Sequence, residues 1–195
     1  MSDSLLGGDD AATLLTSEER EGLVPSYITH RRELNEAEQQ GITTAQAWAF
    51  MRKRDVLDES FLRRLHLRMF GDVWRWAGQY RTTARNIGVD AWRIGPDVRQ
   101  LLADVGYWIE HDTYSTDEIA ARFHHRLVSI HCFPNGNGRH ARLAADLLLI
   151  RLGRPSFTWG RQNLVAASDT RRRYVEALRA ADNHDLELLL AFVRS

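Results

Sequence analysis

The chain has 195 residues, 44% of them hydrophobic, with 26 basic and 26 acidic side chains. That supports one domain with a substantial core and is short for two. The balanced charge gives no pull toward nucleic acid or an anionic membrane, so neither DNA nor membrane is expected as a partner. Cys132 is the single cysteine, which excludes an internal disulfide and fits a cytoplasmic setting. The first residues lack the basic start and apolar run of a signal peptide. The apolar stretch at 143–152 is interrupted by Asp146 and Arg151 and is too short to span a bilayer. The basic triplet at 171–173 reads as a solvated helix face.

In chain order, residues 1–14 are small and acidic and read as a flexible leader, and residues 15–195 as a single domain. Ser17-Glu-Glu-Arg-Glu21-Gly22 has a serine cap, acidic residues in the first turn and a glycine stop, so one or two helical turns are predicted. A charged amphipathic helix follows at 28–40, ended by Gly41, and a second starts at Thr43 and Thr44. Asp58 caps the next, with Phe61, Leu62, Leu65, Leu67, Met69 and Phe70 supplying the buried stripe. Residues 79–96 change character: Thr, Ile, Val and Trp surround Asn86, Gly88 and Asp90, which predicts a β-hairpin. Helices resume at 97–111. Ser115 to Glu118 has capping-box spacing and opens a helix to about Ile130. A further helix covers 137–152 and is closed by Gly153 and Pro155; the last two cover 168–179 and 186–193. The expected fold class is all-α with one β-hairpin.

The chemistry concentrates at residues 131–142, His-Cys-Phe-Pro-Asn-Gly-Asn-Gly-Arg-His-Ala-Arg. Gly136, Asn137 and Gly138 lie where a tight turn enters a helix, and unpaired backbone N–H groups there make an anion site. Arg139 and Arg142 are three apart on one face of the first turn, able to grip several phosphate oxygens. His131 ends the preceding helix, placed to take a proton from an attacking hydroxyl. Each residue alone has an ordinary structural role; their occurrence within twelve positions points to nucleotidyl or phosphoryl transfer.

This stretch resembles the signature of the Fic family, His-x-Phe-x-(Asp/Glu)-Gly-Asn-Gly-Arg-x-x-Arg, and matches it at every defined position but one. Residues 72–81 and the tail from Arg173 also resemble the family, so the likeness runs from about residue 17 onward. The resemblance implies a protein adenylyltransferase that moves AMP from ATP to a hydroxyl side chain of a target protein. It implies His131 as general base and Phe133 as the anchor of the loop. It further implies an anion hole of Gly136, Asn137 and Gly138, with Arg139 and Arg142 on the phosphates. The hairpin at 82–94 becomes a flap that registers the target protein by strand addition.

Asn135 stands where the family has the acidic Mg²⁺ ligand; an amide oxygen can ligate a hard cation but brings no charge, so Mg²⁺ is expected as a cofactor carried largely by ATP and held weakly at Asn135. Ser17, Glu21 and Gly22, within 15–24, resemble an inhibitory helix, which implies a Glu21–Arg142 pair that denies the arginine to the γ-phosphate. The same glutamate could align a water for removal of AMP, and Asn135 also suits a catalytically weak regulatory protein of the same fold. The clustered His124, His125, His131 and His140 raise a metallohydrolase reading, without the spacing of a zinc motif. Self-association into a homo-oligomer is left open.

Overall fold

The computed structural model describes residues 17–161, 164 and 168–195; the predicted leader, 1–14, lies outside them. Its helices are α1 (Ser17–Arg20), α2 (Arg31–Phe50), α3 (Glu59–Phe70), α4 (Ile94–Glu110), α5 (Thr116–Ile130), α6 (Asn137–Arg151), α7 (Asp169–Asp182) and α8 (Glu187–Val193). Three starts follow the cap residues expected from sequence. Asp58 accepts from the Ser60 N–H at 2.9 Å, Ser115 from Glu118 at 3.3 Å and Ser168 from Arg171 at 3.1 Å, each satisfying an otherwise orphaned donor.

α5 and α6 pack along one another at the centre, with α4 and α8 against α5, α2 against α3, and α7 against α8. Buried α6 residues cover most of its circumference, from His140 and Ala141 to Leu147 and Leu149, and leave one face of Arg139, Arg142 and Asp146 less buried. The buried stripe of α3 includes Phe61, Leu62, Leu65, Met69 and Phe70, but Leu67 lies on the opposite side and is exposed.

Two expectations are corrected. α2 is one helix that runs through Gly41 instead of ending there. A Cβ on Gly41 would lie 2.4 Å from the Met69 carbonyl oxygen, so this glycine permits the close crossing of α2 and α3. The hairpin at 82–94 is also not formed: the segment consists of bends followed by a 3₁₀ turn, Ala91–Arg93. Its backbone bonds go elsewhere. Arg81 N–H donates to the Cys132 carbonyl and Val89 N–H to that of Ile130, at 3.0 and 3.3 Å. The segment is therefore fastened to the end of α5 rather than to itself. The β-bridge that does form among the described residues joins Leu23 to Trp74.

Candidate active site

α5 terminates at His131, which caps it in the left-handed conformation (φ 56°, ψ 62°). A compact turn leads to Gly136, also left-handed (φ 79°), and to the first residue of α6, Asn137. At Gly136 a Cβ would lie 2.6 Å from the Phe70 ring, so both conformation and space demand glycine. The turn is closed by the Asn137 side chain. Its Oδ1 accepts from the Phe133 N–H at 2.9 Å, and its Nδ2 donates to the Phe133 carbonyl at 2.7 Å. Phe133, 1% exposed, stacks on His66 with ring centres 3.7 Å apart.

His66 completes the brace. Its Nδ1 accepts from the Gly78 N–H at 3.0 Å, which leaves Nε2 to donate to the Asn135 carbonyl at 3.0 Å. Burial, aided by His140, holds its pKa well below the usual imidazole range, so it is a neutral structural ring.

His131 is 5% exposed. Burial, then the adjacent Arg81 guanidinium and more weakly Arg85, lower its pKa to about 4, against an opposing backbone hydrogen bond with Val128. At neutral pH it is an uncharged imidazole. Arg81 also holds the histidine's backbone: its Nε donates to the His131 carbonyl at 2.7 Å, and its other nitrogens bond the Thr83 and Val89 carbonyls. One buried side chain thus ties the 82–94 segment to the histidine.

Across the turn, Arg139 donates to Glu38 at 2.6 Å and lies over the Phe70 ring. Arg142 rests on Tyr174, with its guanidinium carbon 5.5 Å from the ring centre. The Tyr174 hydroxyl lies 2.9 Å from His124 Nε2. Burial lowers the Arg142 pKa, though the group remains a cation. Both arginines line a cavity of about 490 Å³ with Gln39, Gln46, Asp146 and Trp159. Burial raises the Asp146 carboxyl to about 6, opposed by hydrogen bonds from the Trp159 indole and the Phe157 N–H.

Three sequence expectations are modified. The Gly136 N–H is taken by the Asn135 side-chain oxygen at 2.5 Å, which leaves the backbone N–H groups of Asn137 and Gly138, in the first α6 turn, as the candidate anion donors. Asn135 offers a single neutral oxygen that already accepts from the Gly136 N–H, so a Mg²⁺ there would gain at most one uncharged ligand from this residue. The expected Glu21–Arg142 pair is not formed either: Glu21 is exposed, and Arg142 has Tyr174 as its partner. The segment after α1 is anchored instead, Val24 N–H to the Val73 carbonyl and Arg75 N–H to that of Gly22, each at 2.9 Å.

The four clustered histidines also diverge. His124 faces Tyr174, His125 faces Asp182, and His140 faces the Leu62 carbonyl. Glu38, Trp74, His66, Arg81 and Tyr174 were not singled out by sequence. Only Glu38 left a signal: Leu34, Glu38, Gly41, Ala45 and Ala49 form the buried stripe of α2, and an acid at a core position of such a stripe needs a partner.

Residues 56–149, which hold α3, α4, α5 and nearly all of α6 together with the signature turn, match the profile of the Fic/DOC family. These residues belong to that family. Among curated relatives, the Fic protein adenylyltransferase fic-1 of Caenorhabditis briggsae is 34% identical over 121 residues, 60% of this chain and 22% of its own length. Its Caenorhabditis elegans counterpart is 30% identical over 147 residues, 73% of this chain and 27% of its own. The chain thus spans about a quarter of the length of the curated Fic relatives it matches. The C. elegans Fic-1 structure superposes with a TM-score of 0.63 at 25% identity, over 89% of this chain and 50% of that one. BepC of Bartonella tribocorum, a structure with bound AMPPNP, superposes with a TM-score of 0.71 at 17% identity, over 92% of this chain and 97% of the other. Among the described residues no helix is long and apolar enough to cross a membrane.

Proposed function

We propose that this chain is a protein adenylyltransferase, transferring AMP from ATP to a hydroxyl side chain of a target protein. The observation that carries the reading is the pairing, across one turn, of a neutral buried His131 with Arg139 and Arg142 at the N-terminus of α6. In this reaction the target hydroxyl oxygen attacks the α-phosphorus while His131 accepts its proton, and pyrophosphate leaves. The α6 N–H groups of Asn137 and Gly138 stabilise charge on the phosphate oxygens. Arg139 and Arg142 bind the β- and γ-phosphates. The negative charge of bound nucleotide raises the imidazole's proton affinity from its low resting value, which suits a base that acts only when ATP is present. Mg²⁺ arrives with the nucleotide. Adenylyltransferase names among the relatives, and family structures described with AMPPNP and with ADP, support the choice of substrate.

The segment at 82–94 is assigned to the target protein: fastened beside His131 by Arg81, it offers backbone on which an extended peptide can register next to the base. The Glu21–Gly22 pattern supports a second, regulatory element. Leu23 bridges Trp74, whose indole holds Glu38 and through it Arg139, so a shift of α1 toward the arginines would let Glu21 compete with phosphate. The same carboxylate then has the chemistry to align water for AMP removal.

The test uses ATP radiolabelled at either the α or the γ phosphorus. Wild-type protein is expected to transfer the α label alone, and His131→Ala to reduce transfer by about a hundredfold or more. Transfer of the γ label means phosphorylation and overturns the reading. Higher self-labelling by Glu21→Gly supports the regulatory role; an unchanged level removes it.

A further inference from the structure

Glu38 is 3% exposed in the core stripe of α2. A carboxyl group at such depth needs a hydrogen-bond partner for each oxygen, and both have one. Oε1 accepts from the Trp74 indole at 2.7 Å, and Oε2 from Arg139 Nη1 at 2.6 Å. Trp74 is itself 2% exposed, stacked on Trp76 and tied through its backbone to Leu23. The acid is therefore fixed from both sides and cannot turn away when a ligand arrives.

The arginine is held differently. Arg139 has five N–H donors and gives Nη1 to Glu38, while its guanidinium lies over Phe70 and borders the cavity it shares with Arg142. A phosphate can bind the cavity side of the fork without displacing the carboxylate. From this geometry we propose that Glu38 is a positioning residue that presets the Arg139 guanidinium for the nucleotide's polyphosphate, rather than a rival for the same donors. The rotamer entropy of the arginine is then lost on folding and not on binding. Trp74 keeps the carboxylate in place as the charge on the far side of Arg139 grows. The inference rests on the reading of the α6 N-terminus as a polyphosphate site.

The experiment is calorimetric titration with ATP of wild type, Arg139→Ala, Glu38→Ala, Glu38→Gln and the double variant Glu38→Ala/Arg139→Ala. Glu38→Ala is expected to weaken ATP binding roughly three- to tenfold, the cost of immobilising one long side chain. Glu38→Gln weakens it too, because one of the two oxygens becomes an NH2 group that sets a donor against either the indole N–H or the guanidinium. The double variant binds no more weakly than Arg139→Ala, a non-additivity that a purely structural role does not produce. Unchanged or tighter ATP binding by folded Glu38→Ala overturns the inference, the tighter result making Glu38 a competitor. If Arg139→Ala binds ATP like wild type, the site reading fails along with it; if Arg139→Ala loses binding and Glu38→Ala does not, only the positioning role fails. A second measurement needs no variant: the Trp74 indole N–H resonance of wild type is expected to stay put on saturation with ATP. Its movement toward the position of a free indole means that Glu38 swings away, which contradicts a fixed support.

Discussion

His131 combines a place in the candidate site with a backbone conformation that costs a non-glycine residue about 1–2 kcal/mol. The conformation persists because Arg81 Nε holds the His131 carbonyl, while the rest of the guanidinium binds the Thr83 and Val89 carbonyls. A lysine has the charge but not the fork. Arg81→Lys is therefore expected to lower stability by about 2 kcal/mol and to reduce α-label transfer by more than the change in folded fraction. Urea unfolding alongside a transfer assay separates the two; equal activity per folded molecule would leave Arg81 a purely structural residue. Gly136 gives a cleaner case. Gly136→Ala meets both the left-handed penalty and a ring 2.6 Å away, so a loss of about 2–4 kcal/mol is expected in the same unfolding experiment.

At the scale of elements, the length of α2 was the least visible feature. Its glycine sits beside Gln39 and Gln40 in a polar run, followed by two threonines, and locally this imitates a helix stop. The helix continues because Gly41 faces the Met69 carbonyl of α3, where absence of a side chain lets the backbones approach. In an isolated helix Gly41→Ala would gain about 1 kcal/mol. Here overpacking outweighs that gain, and net destabilisation of about 1–2 kcal/mol is expected; a raised thermal midpoint would show that the crossing can relax. The 82–94 segment failed as a hairpin for a related reason. Its residues have strand-like character, but Arg81 and Val89 find their backbone partners on the 130–132 segment, and those long-range bonds replace a self-paired ladder.

The whole molecule carries a pH dependence set by buried neutral histidines. Burial lowers His124 to about 3, and His131 and His140 to about 4, with His66 also well below the ordinary value. Each prefers the neutral form in the folded state, so the unfolded chain binds more protons as pH falls. Their stabilisation is complete above the unfolded imidazole pKa of about 6.5 and is lost progressively as pH falls toward 4. Asp146 acts in the opposite sense, since its pKa is raised to about 6 and its ionisation penalises the fold as pH rises through the same window. Four histidines against one carboxyl give a net expectation of lower stability at pH 5 than at pH 7. Urea unfolding at the two pH values checks the sign; equal or greater stability at pH 5 contradicts it.

The sequence by itself determined the helical starts at Asp58, Ser115 and Ser168, the glycine turn before α6, and the placing of His131, Arg139 and Arg142 around that turn. These depend on interactions between residues a few positions apart, so a short window contains both partners. Family membership was legible for the same reason, because the signature is one contiguous run. Tertiary structure alone decided what those residues touch. Arg139 meets an acid 101 positions away, and Arg142 meets Tyr174 instead of Glu21. Such pairings follow from how α2, α6 and α7 pack, and helix spacing shows only that a residue faces inward. Glu38 marks the boundary: its place in the α2 stripe shows in the sequence, while its partners were chosen by the fold.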